Sequence, residues 1–231
     1  MHKLLVDYIQ VSRKKQYRYD ELGKLPNVLE ISEEQLINSP KKISEAKLKL
    51  KSITQNFKRV VLEVGCGSGE YTRGLAELDP LTLFIGIDLK GDRLWAGAKK
   101  VAEMGLNNVF FIRVDLLLIS HIFEANSVTE IWITFPDPQP TNPKRRLTGQ
   151  NMLSKYLRII QPDGKIFLKT DNDFIFQDFV TLTKELKFTI NYTEDLYNSN
   201  RFPEFTRQIK THYEKKYLAQ GQTIKLVEVQ S

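Results

Sequence analysis

The sequence predicts an α/β fold: a doubly wound, mostly parallel sheet with helices on both faces. Three observations predict it. From Arg59 onward, short apolar runs alternate with helical patterns, the rhythm of successive βα units. The first run leads directly into a turn with glycines at 65, 67 and 69, and a helical pattern follows at once. Acids close the successive runs, and the carboxyl ends of parallel strands are where such sheets bind ligands.

The elements follow in order. Residues 1–57 read as a basic N-terminal extension without a strong strand, with one helical stretch at Ser44–Gln55 where lysines alternate with Ala46, Leu48, Leu50 and Ile53. Residues 58–231 read as the α/β domain. Its first strand is Val60–Val64, and its first helix, about Glu70–Leu78, stops at Asp79-Pro80. A second strand, Leu83–Ile87, precedes a helix at about Arg93–Met104 that ends on Gly105. The third and fourth strands are Val109–Val114 and Glu130–Phe135, and a proline-rich loop runs from Pro136 to Pro143. A helix at about Leu147–Ile160 ends before the turn signal Pro162-Asp163-Gly164. Strand Lys165–Thr170, a helix at about Phe174–Leu186, a strand near Thr189–Tyr197, a helix at Thr211–Ala219 and a strand at Thr223–Val229 complete the chain.

At 231 residues the chain holds one α/β domain and an appendage. No stretch approaches the roughly 18 apolar residues of a membrane span, and the acid at Asp7 breaks the only early apolar run, so neither a membrane partner nor a signal peptide is expected. The single cysteine, Cys66, forms no internal disulfide, which fits a cytoplasmic protein. Its place inside the glycine turn favours a small tolerated residue over a nucleophile. The net charge of +6 points weakly to a polyanion. Its distribution says more. Arg13, Lys14, Lys15 and Arg18, interleaved with Tyr17 and Tyr19, form one cluster; Lys41 to Arg59 holds a second; Lys144, Arg145 and Arg146 form a third. Any one is an ordinary solvated face; three together favour nucleic acid.

The glycine turn carries the chemistry. A dinucleotide site uses G-x-G-x-x-G, whereas this chain has G-x-G-x-G with Glu63 two residues before the first glycine. Asp88 ends the next strand about 20 residues past Gly69, where a ribose-binding carboxylate belongs. This turn resembles motif I of the class I S-adenosylmethionine (SAM) methyltransferases, which carry a Rossmann-like sheet. On that resemblance Asp115 would face the adenine ring, and Glu63 would approach the ligand's positive end directly or through water. Acids around the site suit a sulfonium and an amino group and repel a pyrophosphate. A nicotinamide-dependent oxidoreductase, a non-catalytic RNA-binding protein on the same fold, and a small-molecule or protein methyltransferase are the competing readings.

Later motifs narrow the choice. Thr134-Phe135-Pro136-Asp137-Pro138, Lys144-Arg145-Arg146-Leu147, Lys169-Thr170-Asp171-Asn172 and Thr211-x-Tyr213-Glu214 with Gly221 downstream occur in this order. Together they resemble the bacterial tRNA (guanine-N7-)-methyltransferase family over about residues 57–229. The resemblance implies a SAM-dependent enzyme that methylates N7 of the variable-loop guanine, position 46, of tRNA and releases S-adenosylhomocysteine. A SAM-dependent enzyme for another RNA base is the alternative. The family resemblance implies that Glu63, Gly65, Gly67, Gly69, Asp88, Asp115 and Asp137 bind the cofactor, with Asp137 also catalytic. Lys144, Arg145, Arg146, Asp171, Thr211, His212, Tyr213 and Glu214 would meet substrate, with no metal, as a monomer or homodimer. The chain departs from the family after Pro138. Many members have Trp and then a basic residue, and here Gln139-Pro140-Thr141 supplies neither an aromatic ring nor a charge.

Overall fold

The computed structural model describes residues 13–31 and 39–230. The opening run Met1–Asp7, read above as no signal peptide, lies outside them. The helices are α1 (Arg13–Leu22), α2 (Pro40–Thr54), α3 (Glu70–Leu78), α4 (Gly91–Met104), the single turn α5 (Ile119–Ile122), α6 (Gln150–Ile159), α7 (Asp173–Glu185), the single turn α8 (Phe205–Gln208) and α9 (His212–Ala219). The strands are β1 (Val28–Glu30), β2 (Arg59–Val64), β3 (Thr82–Asp88), β4 (Val109–Arg113), β5 (Val128–Thr134), β6 (Ile160–Thr170), β7 (Thr189–Thr193) and β8 (Lys225–Gln230).

The eight strands of the described residues form one sheet in the order β1-β4-β3-β2-β5-β6-β8-β7. The first six in that order pair in parallel; β8 runs antiparallel between β6 and β7. Parallel strands covered on both faces read as continuous apolar runs, and β2 and β3 are buried along almost their whole length. One face packs Leu50 of α2, Tyr156 of α6 and Phe179 of α7 over Leu62, Ile85 and Ile131. The other packs Leu22 of α1, Tyr71 of α3 and Leu94 of α4 over Val61, Phe84 and Trp132. Both faces are therefore covered, as the alternation of elements predicts.

The structure corrects three details. The extension read as having no strong strand contributes one, since β1 pairs Val28 with Phe111 and Glu30 with Arg113. Three residues are too few to show a periodicity. Its helix α1, also unforeseen, sends Tyr19 against Gly91 at the start of α4, and Leu22 is fully buried. The turn Pro162-Asp163-Gly164 does not separate a helix from a strand but lies within β6. That ladder steps from Val128↔Ile160 to Glu130↔Lys165, so the extra residues loop out as a bulge.

Strand order reverses at β2. From it the chain builds outward through β3 and β4 on one side and through β5 and β6 on the other. A crevice opens at the carboxyl ends of β2 and β5, the place where doubly wound sheets bind ligands.

Candidate functional site

The crevice holds about 690 Å³ and is walled by the glycine turn, the Phe135–Pro138 loop and the start of α9. Of the residues singled out in the sequence, Glu63, Gly65, Gly67, Asp88, Asp137, Thr211, His212 and Tyr213 line it. Gly69, Asp115, Lys144, Arg145, Arg146, Asp171 and Glu214 do not.

Glycine is required in the turn because Gly67 has φ 58° and Gly69 has φ 64°, the left-handed region. Gly69 sits at the N-cap of α3 and has no side chain to offer the first N–H groups. Glu63 takes that role from the neighbouring strand. It is 3% exposed, and its Oε2 accepts the backbone N–H of Thr72 at 2.8 Å and the Thr72 hydroxyl. Its Oε1 accepts the Thr134 hydroxyl at 2.6 Å. Burial pushes the Glu63 carboxyl up, and the Thr134 and Thr72 hydrogen bonds pull it back. Glu63 thus ties the glycine turn to the end of β5, and both its oxygens are engaged within the chain.

Asp88 braces the other side of the turn. Its Oδ2 accepts Gly67 N–H at 2.8 Å and its Oδ1 accepts Lys90 N–H at 2.8 Å. It is half-buried and keeps open lone pairs toward the crevice. Gly97 is a residue the sequence reading missed: a Cβ there would stand 2.3 Å from the Ser68 carbonyl oxygen. So α4 lies against the backbone of the glycine turn, and any side chain at 97 would push the turn inward. Cys66 is buried, and burial, with Glu63 and Asp88 nearby, pushes its thiol well up. It stays protonated, which supports its reading as a small tolerated residue.

Asp137 is exposed within the crevice wall, and its Oδ1 accepts Gln139 N–H at 3.1 Å. The turn around it is built under strain: Phe135 has φ 47° and Gln139 φ 45°, in a region non-glycine residues seldom enter. Arg146 holds this turn from behind. Its Nε donates to the Pro138 carbonyl at 3.0 Å, Nη1 lies 3.4 Å from Asp178 Oδ2, and its guanidinium sits 4.7 Å over the Phe174 ring. Its side chain is only 12% exposed. Lys144 and Arg145, by contrast, are exposed, and Arg145 reaches Asp115 only at 4.0 Å. Asp115 caps the short 3-10 turn Leu116–Leu118 by accepting Leu117 N–H at 2.9 Å.

Lys169 and Glu214, one from each of the two later motifs, form a buried clamp. Lys169 and Glu214 are both wholly buried, with Nζ 2.8 Å from Oε1. Lys169 also donates to the carbonyls of Thr206 at 2.6 Å and Ile209 at 3.2 Å, and Tyr197 donates its hydroxyl to Glu214 at 2.9 Å. Burial pulls the Lys169 ammonium down while Glu214 pulls it back up. Thr211 caps α9 by accepting Glu214 N–H at 3.2 Å, and His212 N–H donates to Glu70 at the start of α3. Thr170 and Asn172 are spent on local caps: Thr170 accepts Asn172 N–H, and Asn172 accepts Ile175 N–H. Glu214 is therefore a support under the crevice wall, while Thr211, His212 and Tyr213 face the crevice.

The donor set suits SAM. Carboxylates from adjacent strands, a left-handed glycine turn that lets a ligand approach the backbone, and an apolar wall at Leu147 and Phe135 surround one space of suitable size.

Comparison with known proteins places the chain among methyltransferases. Residues 58–227 match the family model Methyltransf_4, described as "Putative methyltransferase". A Christiangramia forsetii protein named tRNA (guanine-N(7)-)-methyltransferase is 41% identical over 92% of this chain and 96% of its own length. A Porphyromonas gingivalis protein of the same name is 43% identical over 73% of this chain and 69% of its own. Among solved structures, an antibiotic-related methyltransferase superposes with a TM-score of 0.60 at 22% identity, covering 79% of this chain and 92% of that one. That likeness concerns the fold.

Proposed function

The chain belongs to the tRNA (guanine-N7-)-methyltransferase family, and on that premise we propose that its crevice brings SAM and the variable-loop guanine of tRNA, position 46, together beside Asp137. The observation that carries the reading is the convergence of Glu63, the glycine turn, Asp88 and Asp137 on one crevice at the β2/β5 switch point. When bound, SAM supplies an electrophilic methyl group. Everything else falls to the chain. Asp88 and the glycine turn hold the nucleoside, and Glu63 keeps the turn in shape. Guanine N7 carries an in-plane lone pair and no proton, so no general base is needed to make the nucleophile. The protein's task is to aim N7 and to stabilise charge moving onto the purine. Asp137 accepts from the guanine N1–H and amino group, which fixes the base by its edge. The position is tested by methylating tRNA, cleaving the chain selectively at 7-methylguanosine, and mapping the cut. Scission in the variable loop supports the assignment; scission elsewhere removes it.

Three further results are expected. Asp88→Ala weakens SAM binding by about 1.5–3 kcal/mol, the loss of charge-assisted hydrogen bonds, or roughly ten- to more than a hundredfold in Kd. Calorimetry reads this directly, and an unchanged Kd takes Asp88 out of the site. For tRNA, Lys144 and Arg145 are the exposed cations that follow the catalytic loop. Replacing both with alanine flattens the log–log salt dependence of tRNA affinity by up to about two units. Arg146→Ala, because that side chain holds Pro138, lowers turnover without flattening the slope. Equal flattening by Arg146→Ala alone would mean that it, too, meets phosphate.

A further inference from the structure

Gln139 offers no ring beside Asp137, but the fold brings three rings to the crevice from two distant segments. Tyr213 and Tyr217 stand four residues apart on α9, on one face of the helix. Their rings lie 6.4 Å apart at 24°. Phe135 lies 6.0 Å from Tyr217 at 36°, two residues before Asp137. All three line the crevice. Phe135 and Tyr217 are partly buried and pack against the core beneath, but core packing does not account for Tyr213. Tyr213 is 41% exposed, and Phe135 is held at a left-handed φ of 47°. The buried clamp of Lys169 on Glu214 anchors the turn of α9 that carries Tyr213. Resting on the function proposed above, we propose that Tyr213, Tyr217 and Phe135 form an aromatic wall whose faces hold the target guanine and stabilise the positive charge it gains on methylation.

The charge follows from the electron count. The N7 lone pair becomes the new N–CH3 bond, the S–CH3 bond breaks with its pair left on sulfur, and no proton moves. The sulfonium charge therefore ends on the purine. A neutral purine stacks on any ring, and a purine turning cationic is attracted further by the negative face of that ring. The wall thus binds the base in the ground state and binds it more tightly as methylation proceeds. It complements Asp137, which the proposal places at the edge of the same base. Tyr213 is the residue to change, because its exposure makes it independent of the core.

The test compares Tyr213→Ala, Tyr213→Leu and Tyr213→Phe in the full chain by steady-state methylation of tRNA, by tRNA binding without SAM, and by calorimetry with SAM. Stacking on one ring is worth about ten- to a hundredfold, so kcat/KM falls by that much in Tyr213→Ala. Tyr213→Leu, which covers similar area without a π face, falls nearly as far, with the larger share in kcat. Tyr213→Phe restores most of the loss. tRNA binding weakens in Tyr213→Ala, and SAM affinity stays constant throughout. A Leu variant as active as the Phe variant would overturn the charge-stabilising role. A parallel loss of SAM affinity would assign the ring to the cofactor and overturn the proposal. If wild type fails to methylate tRNA, the function reading itself fails; if wild type and Tyr213→Ala are equally active, only the wall does.

Discussion

Glu214→Ala destabilises the protein by about 3–5 kcal/mol, because it leaves the wholly buried Lys169 ammonium without its counter-charge. The remaining Thr206 and Ile209 carbonyls do not neutralise it. Tyr197 loses the nearer of its two hydroxyl acceptors in the same change and keeps only the Arg207 carbonyl at 3.5 Å. The loss is read as a fall in the denaturant midpoint with an unchanged slope. Lys169→Met combined with Glu214→Leu recovers much of it, since removing both charges also removes the desolvation cost. Activity falls beyond what the lower stability explains, because the Thr211–Tyr213 turn hangs from the same clamp. An unfolding free energy equal to wild type in Glu214→Ala would contradict the clamp.

Asp137→Ala lowers kcat/KM on tRNA by about 2.7–4 kcal/mol, the cost of losing one preorganised electrostatic contact to the reacting group. The side chain is exposed, and its one hydrogen bond from the described chain comes from Gln139 N–H, so stability changes little. SAM affinity falls less than in Asp88→Ala. Near-normal turnover in Asp137→Ala would reduce the residue to the cap of a proline turn.

The sequence reading succeeds where the determinants are local. The glycine turn and the alternation of elements are contiguous patterns, and most elements form where those patterns place them, while Asp115 at the end of the third strand caps a 3-10 turn away from the crevice. The site's supports were not legible, because each joins segments distant in sequence. Nothing near Gly97 shows that Ser68 will lie against it. Nothing near Arg146 shows that it grips Pro138 and Asp178. Thr211-x-x-Glu214 has the spacing of a capping box, yet the Glu214 side chain turns inward to a lysine on β6. The aromatic wall escaped notice for the same reason: Phe135 and Tyr217 meet only after β5 and α9 are both in place.

The most direct test of the account is incubation of the full chain with methyl-tritiated SAM and unmodified tRNA, followed by digestion to nucleosides. Label is expected in 7-methylguanosine, with wild-type yield far above that of Asp137→Ala. Label in any other nucleoside, or none in tRNA at all, would contradict it.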